Sequence, residues 1–404
     1  MTAGPSSDFR LRDVWLAAYG PSLVASVGYG AVGPVLALQA RALGASYSTA
    51  ALVVALMPLG MLLASLPSGA VIARIGERRM LVWAGVVDAV AMAGAALAPT
   101  PWLLGAAAFV SGVAWTAFLI ARQGFMILAV PMAFRARAMS LLGGTFRVGV
   151  LVGPVLGAGL IHWSGLPAVF WLACGTSLAA GLLAAVVTDL GEAEHLAAAA
   201  GPRPSVWSVL REHRRVLAVV GTAVIVIGAS RSVRTSLLPL WADFIGLPGS
   251  TISLIFAITA AIDLAFLIPG GWVMDRVGRT VVAVPVVLSV AVGALLLPLT
   301  DGPVGVTLVM SLIALGNGLG SGIVMTLGAD TAPTSGRSQF LGAWRLCGAI
   351  GTSSGPLLVS GAALVAPLAV ACVVIGVLSL LGTAWVAHAV LGVDRQLRVS
   401  PPGP

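Results

Sequence analysis

The sequence predicts an all-α membrane protein in which twelve transmembrane helices form two parallel-repeat six-helix bundles. Three observations support this: an apolar composition, twelve apolar stretches of spanning length, and an internal repeat. Of the 404 residues, 59% are hydrophobic and only 9% are charged, and the mean hydropathy is +1.04. Soluble domains carry about 25% charged residues. The chain is therefore expected to lie in a lipid bilayer.

A bilayer core about 30 Å thick requires roughly 20 apolar residues per helix. In the first half of the chain, such stretches run over Val14–Leu38, Thr49–Ala73, Met80–Ala98, Trp102–Met126, Ala138–Trp163 and Pro167–Val187. In the second half, they run over Val216–Leu240, Ser250–Met274, Val281–Leu299, Val304–Leu327, Phe340–Ala363 and Pro367–Leu391. The first stretch is longer than a signal-peptide core and has no convincing cleavage site, so we expect it to be retained as a span.

The two halves of the chain repeat each other. A shift of 202 residues superposes many glycines, prolines and arginines without a gap, including Pro67 on Pro269, Arg74 on Arg276 and Pro154 on Pro356. Because each half contains an even number of spans, the repeats enter the membrane with the same polarity. We expect bundles over residues 1–188 and 216–404, joined by a cytoplasmic linker over 189–215 that ends in an amphipathic, interfacial stretch.

The arginines fall almost entirely on one side of the predicted membrane. All 22 residues counted as Lys or Arg are arginine, and Arg41 alone lies in a loop of the other side. By the positive-inside rule, we expect a multi-pass protein of the cytoplasmic membrane with both termini in the cytoplasm. The basic pI therefore gives no reason to expect nucleic acid as a partner.

The loop after the eighth span combines a small residue, charges and a tight turn. It contains Gly271, Asp275, Arg276, Gly278 and Arg279. The small residue permits close helix approach, and the carboxylate can face the N-terminus of a neighbouring helix. This loop closely resembles the signature loop of the major facilitator superfamily. The corresponding loop after the second span contains Gly69, Arg74, Gly76 and Arg78, but has Ala73 where the family has its aspartate.

The fifth span carries a pattern of small residues around a proline: Gly149, Gly153, Pro154 and Gly157. Glycines four apart allow close packing, and the proline bends the helix. The pattern resembles the antiporter motif of the drug:proton antiporter branch of the superfamily, although ordinary helix packing explains it equally well. The resemblance covers nearly the whole chain and implies the major facilitator fold. It also implies a monomer that exports a small molecule by alternating access, with the proton gradient as energy source and no cofactor.

The arginine that many antiporters place deep in helix 4 has no counterpart around Ser111 and Gly112. Arg122 lies too near the cytoplasmic end to be given that role.

Ionisable residues within the spans are costly in lipid and are candidates for function. They are Asp88, Arg147, Arg231, Arg234, Asp263 and Arg345. Arg147 and Asp263 lie at similar depth, and helices 5 and 8 meet across the domain interface in the family. We therefore predict an Arg147–Asp263 ion pair, which either breaks when Asp263 is protonated or is a fixed structural pair. Asp88 and Arg345 are further candidates for proton coupling, and Asp88 has a structural role as its alternative.

In the family, helices 1, 4, 7 and 10 line the substrate cavity. The positions that the resemblance and the repeat place there are Tyr29, Trp115, Phe118, Arg231, Arg234 and Asn317. This set suits a mid-sized amphipathic or anionic molecule, and the two arginines, three apart on one face, could hold a carboxylate. Alternatively, the aromatic residues pack the bundle, and the arginines lie near the outer end and reach water.

Other function classes fit the sequence less well. The four histidines lack partners, no metal-binding spacing is present, and neither a nucleophile motif nor a phosphate-binding loop occurs. An enzyme and an ATP-driven pump are therefore not expected. A proton-coupled uptake symporter or a metabolite facilitator uses the same fold and stays open as an alternative. A non-transporting receptor is a more remote one.

Overall fold

The computed structural model describes residues 19–130, 135–186, 211–333 and 337–399. The N-terminal half contains α1 Gly20–Ala42, α2 Tyr47–Ile75, α3 Glu77–Ala96, α4 Pro101–Ala129, α5 Arg135–Ser164 and α6 Pro167–Val186. The C-terminal half contains α7 Thr222–Phe244, α8 Gly249–Arg276, α9 Thr280–Leu296, α10a Pro303–Leu319, α10b Ile323–Thr331, α11 Arg337–Val365 and α12 Leu368–Val399.

Twelve segments of the described chain are long and apolar enough to cross a membrane, with α10a and α10b together forming the tenth. This confirms the twelve predicted spans and the all-helical fold class. The predicted linker over 189–215 lies outside the described residues except for 211–215. A short helical turn, Arg214–Val216, and a π-helical turn, Leu217–Gly221, lead from there into α7.

The sequence repeat is also present in the backbone. Gly44 and Gly246, 202 residues apart, end α1 and α7 with φ of 85° and 79°. Each donates to the carbonyl three residues earlier, which satisfies the end of the helix. Gly76 and Gly278 form a second such pair, with φ of 82° and 133°, between α2 and α3 and between α8 and α9. A side chain at these positions would be strained, so the repeated glycines fix where the helices stop.

The same repeat governs helix packing. Within the first half, α1 packs on α5, α2 on α4 and α3 on α6; within the second half, α7 packs on α11, α8 on α10a and α9 on α12. The halves meet through α2 and α11, through α5 and α8, and through α1 and α7. The predicted meeting of helices 5 and 8 is thus present.

The two ends of the molecule differ in how the halves are joined. At the end where α1 stops and α2 begins, here called the Arg41 end, one apolar core contains residues of both halves, including Leu36, Val53, Leu240 and Ile252. At the opposite end, here called the terminal end, each half has a separate core, one around Phe125 and the other around Phe340. Apolar packing therefore joins the halves at the Arg41 end.

Polar contacts add to the closure of the Arg41 end. Arg41 Nε lies 3.1 Å from Asp243 Oδ2, a pair that joins two positions related by the 202-residue repeat. Ser48 of α2 and Ser360 of α11 each donate to the other's carbonyl oxygen, at 2.8 and 2.9 Å. These four side chains form what we call the end lock.

Candidate functional site

A carboxylate lies among helices α7, α8 and α10a, near the middle of the C-terminal half. Arg234 Nη1 of α7 is 3.0 Å from Asp263 Oδ2 of α8. Asn317 Nδ2 of α10a lies 3.1 Å from both carboxylate oxygens. The side chains of Arg234 and Asp263 are only 17% and 15% exposed. Asp263 thus has both a charged and a neutral donor in a poorly solvated position, where electrostatic interactions are strong.

The predicted Arg147–Asp263 ion pair is wrong, because the structure pairs Asp263 with Arg234. Arg147 of α5 instead donates to Ser321 Oγ at 2.5 Å, across the interface between the halves. The charges of Arg147 and Asp263 still interact. Equal depth in the membrane does not fix the direction in which a side chain leaves its helix, and Asp263 points toward α7 and α10a.

The tenth span is interrupted where Arg147 reaches it. Gly316, Gly318, Gly320 and Gly322 alternate along this stretch, and glycine is a poor helix former. The helix stops after Leu319 and resumes at Ile323. Arg231 Nη2 donates to the carbonyl oxygen of Gly320 at 2.5 Å. A helix C-terminus carries partial negative charge, so this break attracts the arginine.

Glycine at position 318 explains why Asn317 reaches Asp263. A Cβ atom at Gly318 would lie 2.8 Å from the carbonyl oxygen of Asp263 and 3.1 Å from its Cα. Such distances are too short for normal packing. The absence of a side chain lets α10a approach α8 closely and places the neighbouring amide on the carboxylate.

In the N-terminal half, the positions that correspond to Arg231 and Asn317 carry aromatic rings. Tyr29 of α1 stacks on Trp115 of α4 with centroids 4.4 Å apart and planes at 12°. Trp115 lies 5.8 Å from Phe118, and Phe146 of α5 lies 6.0 Å from Tyr29. We call these four residues the aromatic cluster. The structure therefore assembles the three aromatic residues that the sequence singled out and adds Phe146.

Arg231 and Arg234 do not lie near the outer end reaching for water. Both side chains form hydrogen bonds inside the C-terminal half, to Gly320 and Asp263. Arg231 Nε is buried and has no hydrogen-bond partner in the part of the chain that the structure describes. Arg231 is close enough to Asp263, Arg147 and Arg234 for their charges to interact, while Arg234 is the arginine that contacts the carboxylate.

Asp88 lies apart from these groups, in the N-terminal bundle. Its two oxygens accept hydrogen bonds from Ser111 of α4 and Ser177 of α6, both at 2.5 Å. Asp88 lines two small cavities, each with room for little more than a water molecule, and Trp115 also lines both. Within the described part of the chain, hydroxyl donors and not cations are the partners recorded for this carboxylate.

The loop between α8 and α9 is organised in part by Asp394 of α12, which the sequence did not single out. Asp275 and Arg276 are exposed, and Arg276 lies over the ring of Trp272 at 4.3 Å. The carboxylate that caps the N-terminus of α9 belongs to Asp394 of α12, which accepts from the backbone N–H groups of Arg279 and Thr280 at 3.0 Å. At α9 the capping carboxylate is thus that of Asp394 and not that of Asp275; that Asp275 faces the N-terminus of another helix stays a prediction.

Arg279 of the same loop binds α10b. Its Nε lies 2.9 Å from Asp330 Oδ2. This hydrogen bond, reinforced by the surrounding carboxylates, raises the pKa of Arg279 further above its usual range. The loop thus ties α8, α9, α10b and α12 together at the terminal end.

Gly69 and Gly271 of the two loops that resemble the signature have open surroundings in the described part of the chain. Among the described residues, a Cβ atom at Gly69 or Gly271 would meet nothing within 4 Å, so the close helix approach expected at Gly271 is not seen there. Gly270 has that role, since its Cβ would lie 2.1 Å from the carbonyl oxygen of Leu319. In the N-terminal half, Arg74 is exposed, and Arg78 donates to the carbonyl oxygen of Ala185 at the end of α6.

The small-residue pattern of α5 packs against α1 of the same half. Cβ atoms at Gly149 and Gly153 would lie 1.9 Å from Ser26 Oγ and 2.3 Å from the carbonyl oxygen of Val27. Gly157 has only ordinary contacts near 3.8 Å, and Pro154 is buried within α5. Close helix packing accounts for the two tight glycines, so this pattern does not separate export from uptake.

Arg345 of α11 is exposed and lies toward the terminal end. Its Nη2 is 3.4 Å from Gln123 Oε1 of α4, which places a long hydrogen bond between the halves. It is not part of the arginine group around Asp263.

Several of these contacts involve residues that the sequence analysis did not select. The alternating glycines from Gly316 to Gly322 were a readable signal for the helix break. The serine partners of Asp88 and the end lock join residues far apart in the chain, and only the fold brings them together.

Comparison with known proteins agrees with this geometry. The family model described as "Major Facilitator Superfamily" matches residues 22–356. Multidrug resistance protein MdtG of Citrobacter koseri is 28% identical over 167 residues, which cover 40% of this chain and 41% of that relative. Multidrug resistance protein MdtH of Shigella boydii is 26% identical over 296 residues, which cover 71% of this chain and 70% of that protein.

Solved structures share the fold at low sequence identity. A POT family transporter in complex with 5-aminolevulinic acid has a TM-score of 0.75 at 11% identity, with 95% of this chain and 96% of that chain covered. The nucleoside transporter NupG has a TM-score of 0.74 at 12% identity, with 94% and 99% covered. The family match spans most of the chain, and the fold agrees with it. The chain therefore belongs to the Major Facilitator Superfamily.

Proposed function

We propose that this protein is a secondary active transporter that exports a small organic molecule in exchange for protons. Its family consists of transport proteins and not enzymes, and relatives named multidrug resistance proteins favour export. The arginine-rich terminal end is proposed to face the cytoplasm, in accord with the positive-inside rule. The transport unit is proposed to be a monomer in the cytoplasmic membrane, with no cofactor.

The arrangement around Asp263 carries the proposal of proton coupling. Asp263 is paired with Arg234, and its charge also interacts with those of Arg231 and of Arg147, which comes from the other half of the molecule. Ionisable groups at this depth are retained for function by default. A proton on Asp263 would remove the negative charge around which the three cations are held.

Protonation would then change the forces between the halves. With the carboxylate neutral, Arg147 on α5 and the two arginines on α7 repel each other without compensation. Arg147 contacts Ser321 at the break of α10, where only a short non-helical segment holds the two helix pieces. We propose that this repulsion shifts the equilibrium between conformations, which couples proton binding to movement of the halves.

The two ends of the molecule supply the conformational part of the proposal. The shared apolar core and the end lock favour closure at the Arg41 end, while the terminal end has separate cores. Alternating access also requires a second conformation, in which the terminal end is closed and the Arg41 end is open. We propose that the end lock opens when the terminal end closes, and that the path runs between the halves.

The test is accumulation of antibiotics and dyes in an export-deficient bacterial host that expresses the protein, with and without a proton uncoupler. We expect lower accumulation of at least one compound and its reversal by the uncoupler. Export that persists with the uncoupler would contradict proton exchange. Higher accumulation of a compound on expression would favour the uptake symporter instead.

A further inference from the structure

The fourth helix carries a buried arginine that the coupling group does not use. Arg122 is only 8% exposed, and its Nε and Nη1 atoms are buried and have no hydrogen-bond partner among the described residues. Burial of a guanidinium without an acceptor is costly. An oxyanion that accepted hydrogen bonds from these donors would offset the cost.

The surroundings of Arg122 are aromatic. Trp115, Phe118 and Arg122 recur at i, i+3 and i+7 on α4, so they lie along one face of the helix. The Cζ atom of Arg122 lies 5.9 Å from the centre of the Phe146 ring. Trp115 and Phe118 are 4% and 3% exposed. The aromatic cluster therefore extends from Arg122 along one side.

Arg122 also lies close to the boundary between the halves. The next residue, Gln123, accepts the hydrogen bond from Arg345 of α11. Three features therefore follow one another from the terminal end inward. The first is the Gln123–Arg345 contact between the halves, the second is the buried guanidinium of Arg122, and the third is the aromatic cluster. A flat molecule with a negative group at one end would match this order.

The other arginines are less available to such a ligand. Arg234 is paired with Asp263, Arg147 donates to Ser321, and Arg231 donates to the carbonyl of Gly320. The sequence pointed to the α7 arginines as carboxylate ligands, but their donors are largely used within the protein.

We propose that Arg122 binds the anionic group of the transported molecule, and that the aromatic part of the molecule packs on Phe146 and Phe118. The substrate class is an aromatic carboxylate or another aromatic oxyanion. Guanidinium groups bind such oxyanions with two hydrogen bonds, and Arg122 has two donors without a partner. This inference rests on the proposed transport function and adds the chemical class of its substrate.

The test uses purified full-length protein in phosphatidylcholine nanodiscs, so that no anionic lipid headgroup competes for the site. Binding of 2-naphthoate is compared with binding of the neutral 2-naphthamide by equilibrium dialysis. We expect wild type to bind naphthoate about 10- to 100-fold more tightly than the amide, as for a charge-assisted hydrogen bond. Arg122→Gln should remove this preference, and Arg122→Lys should retain part of it.

Arg215→Gln is the matched control, because it removes one exposed positive charge elsewhere and should leave the preference unchanged. Thermal unfolding of each variant shows that the proteins compared are folded. Addition of phosphatidylglycerol to the nanodiscs should leave naphthoate binding unchanged; strong competition would assign the site to a lipid headgroup and overturn the proposal.

Equal binding of the two naphthalene compounds, binding of neither, or a preference that survives in Arg122→Gln would also overturn it. Failure here is distinguishable from failure of the transport proposal. Uncoupler-sensitive export of neutral or cationic dyes by the same protein would keep the transport function and reject the anion site.

Discussion

The two halves repeat each other in backbone and packing, yet their centres differ in chemistry. The N-terminal half has stacked rings, with Trp115 at the position that corresponds to Asn317 of the C-terminal half. Likewise, Tyr29 corresponds to Arg231. The C-terminal half contains the carboxylate and its arginines. The difference teaches that a duplicated scaffold can divide its tasks, with proton binding proposed for one half and substrate binding for the other.

The largest effect is expected when the charge group of the C-terminal half is broken. Asp263→Asn leaves Arg234 without its carboxylate, and loss of one partner of a buried ion pair costs roughly 3–5 kcal/mol. We expect a loss near the lower limit, because both side chains are about one-sixth exposed. Thermal denaturation of the purified protein measures it.

The control for this change is the double variant Asp263→Asn with Arg234→Gln. Removing both charges should recover much of the lost stability without restoring proton coupling. If the double variant were as unstable as Asp263→Asn alone, the Arg234–Asp263 ion pair would not be the interaction that stabilises this part of the C-terminal half.

A smaller effect is expected when α10a is moved away from α8. Gly318→Ala places a Cβ 2.8 Å from the carbonyl oxygen of Asp263, and overpacking typically costs about 1–3 kcal/mol. We expect lower thermal stability and weaker proton coupling, because Asn317 is displaced from the carboxylate. Gly143→Ala, where a Cβ meets nothing within 4 Å among the described residues, should show neither change.

A substitution of Asp88 tests whether proton binding is confined to the C-terminal half. Its partners are two serine hydroxyls, so Asp88→Asn breaks no ion pair among the described residues. We expect a change in unfolding free energy of no more than about 1 kcal/mol, in the range of one hydrogen bond, and intact proton coupling in proteoliposomes. Loss of coupling in this variant would place proton binding in both halves.

The smallest effect is expected at the end lock. Arg41→Ala removes a partly exposed ion pair, and such pairs contribute about 0.2–1 kcal/mol. The fraction of molecules that are open at the Arg41 end should rise by up to about fivefold. Distances between spin labels placed on either side of Ser48 and Ser360 can measure this fraction. Exchanging the two charges, as Arg41→Asp with Asp243→Arg, should restore closure; an unchanged distance distribution in Arg41→Ala would reject the lock.

Much of the fold could be predicted from the sequence, because span length, arginine positions and the 202-residue repeat are linear properties. The site was less predictable. The depth of a residue in the membrane follows from counting residues along its helix. The neighbouring helix that its side chain faces does not follow from counting, and the partner of Asp263 was therefore misassigned. The approach of α10a at Gly318 and the capping role of Asp394 depend on contacts between distant segments. Arg122 was visible in the sequence, but its burial without a partner was not.

The central claim is that Asp263 is the group that exchanges the proton. The most direct measurement is proton movement across proteoliposomes, followed with an enclosed pH-sensitive dye after a substrate gradient is imposed, in wild type, Asp263→Asn and Asp88→Asn. The account predicts proton movement in wild type and in Asp88→Asn, and none in folded Asp263→Asn. Substrate-driven proton movement that persists in Asp263→Asn would contradict it.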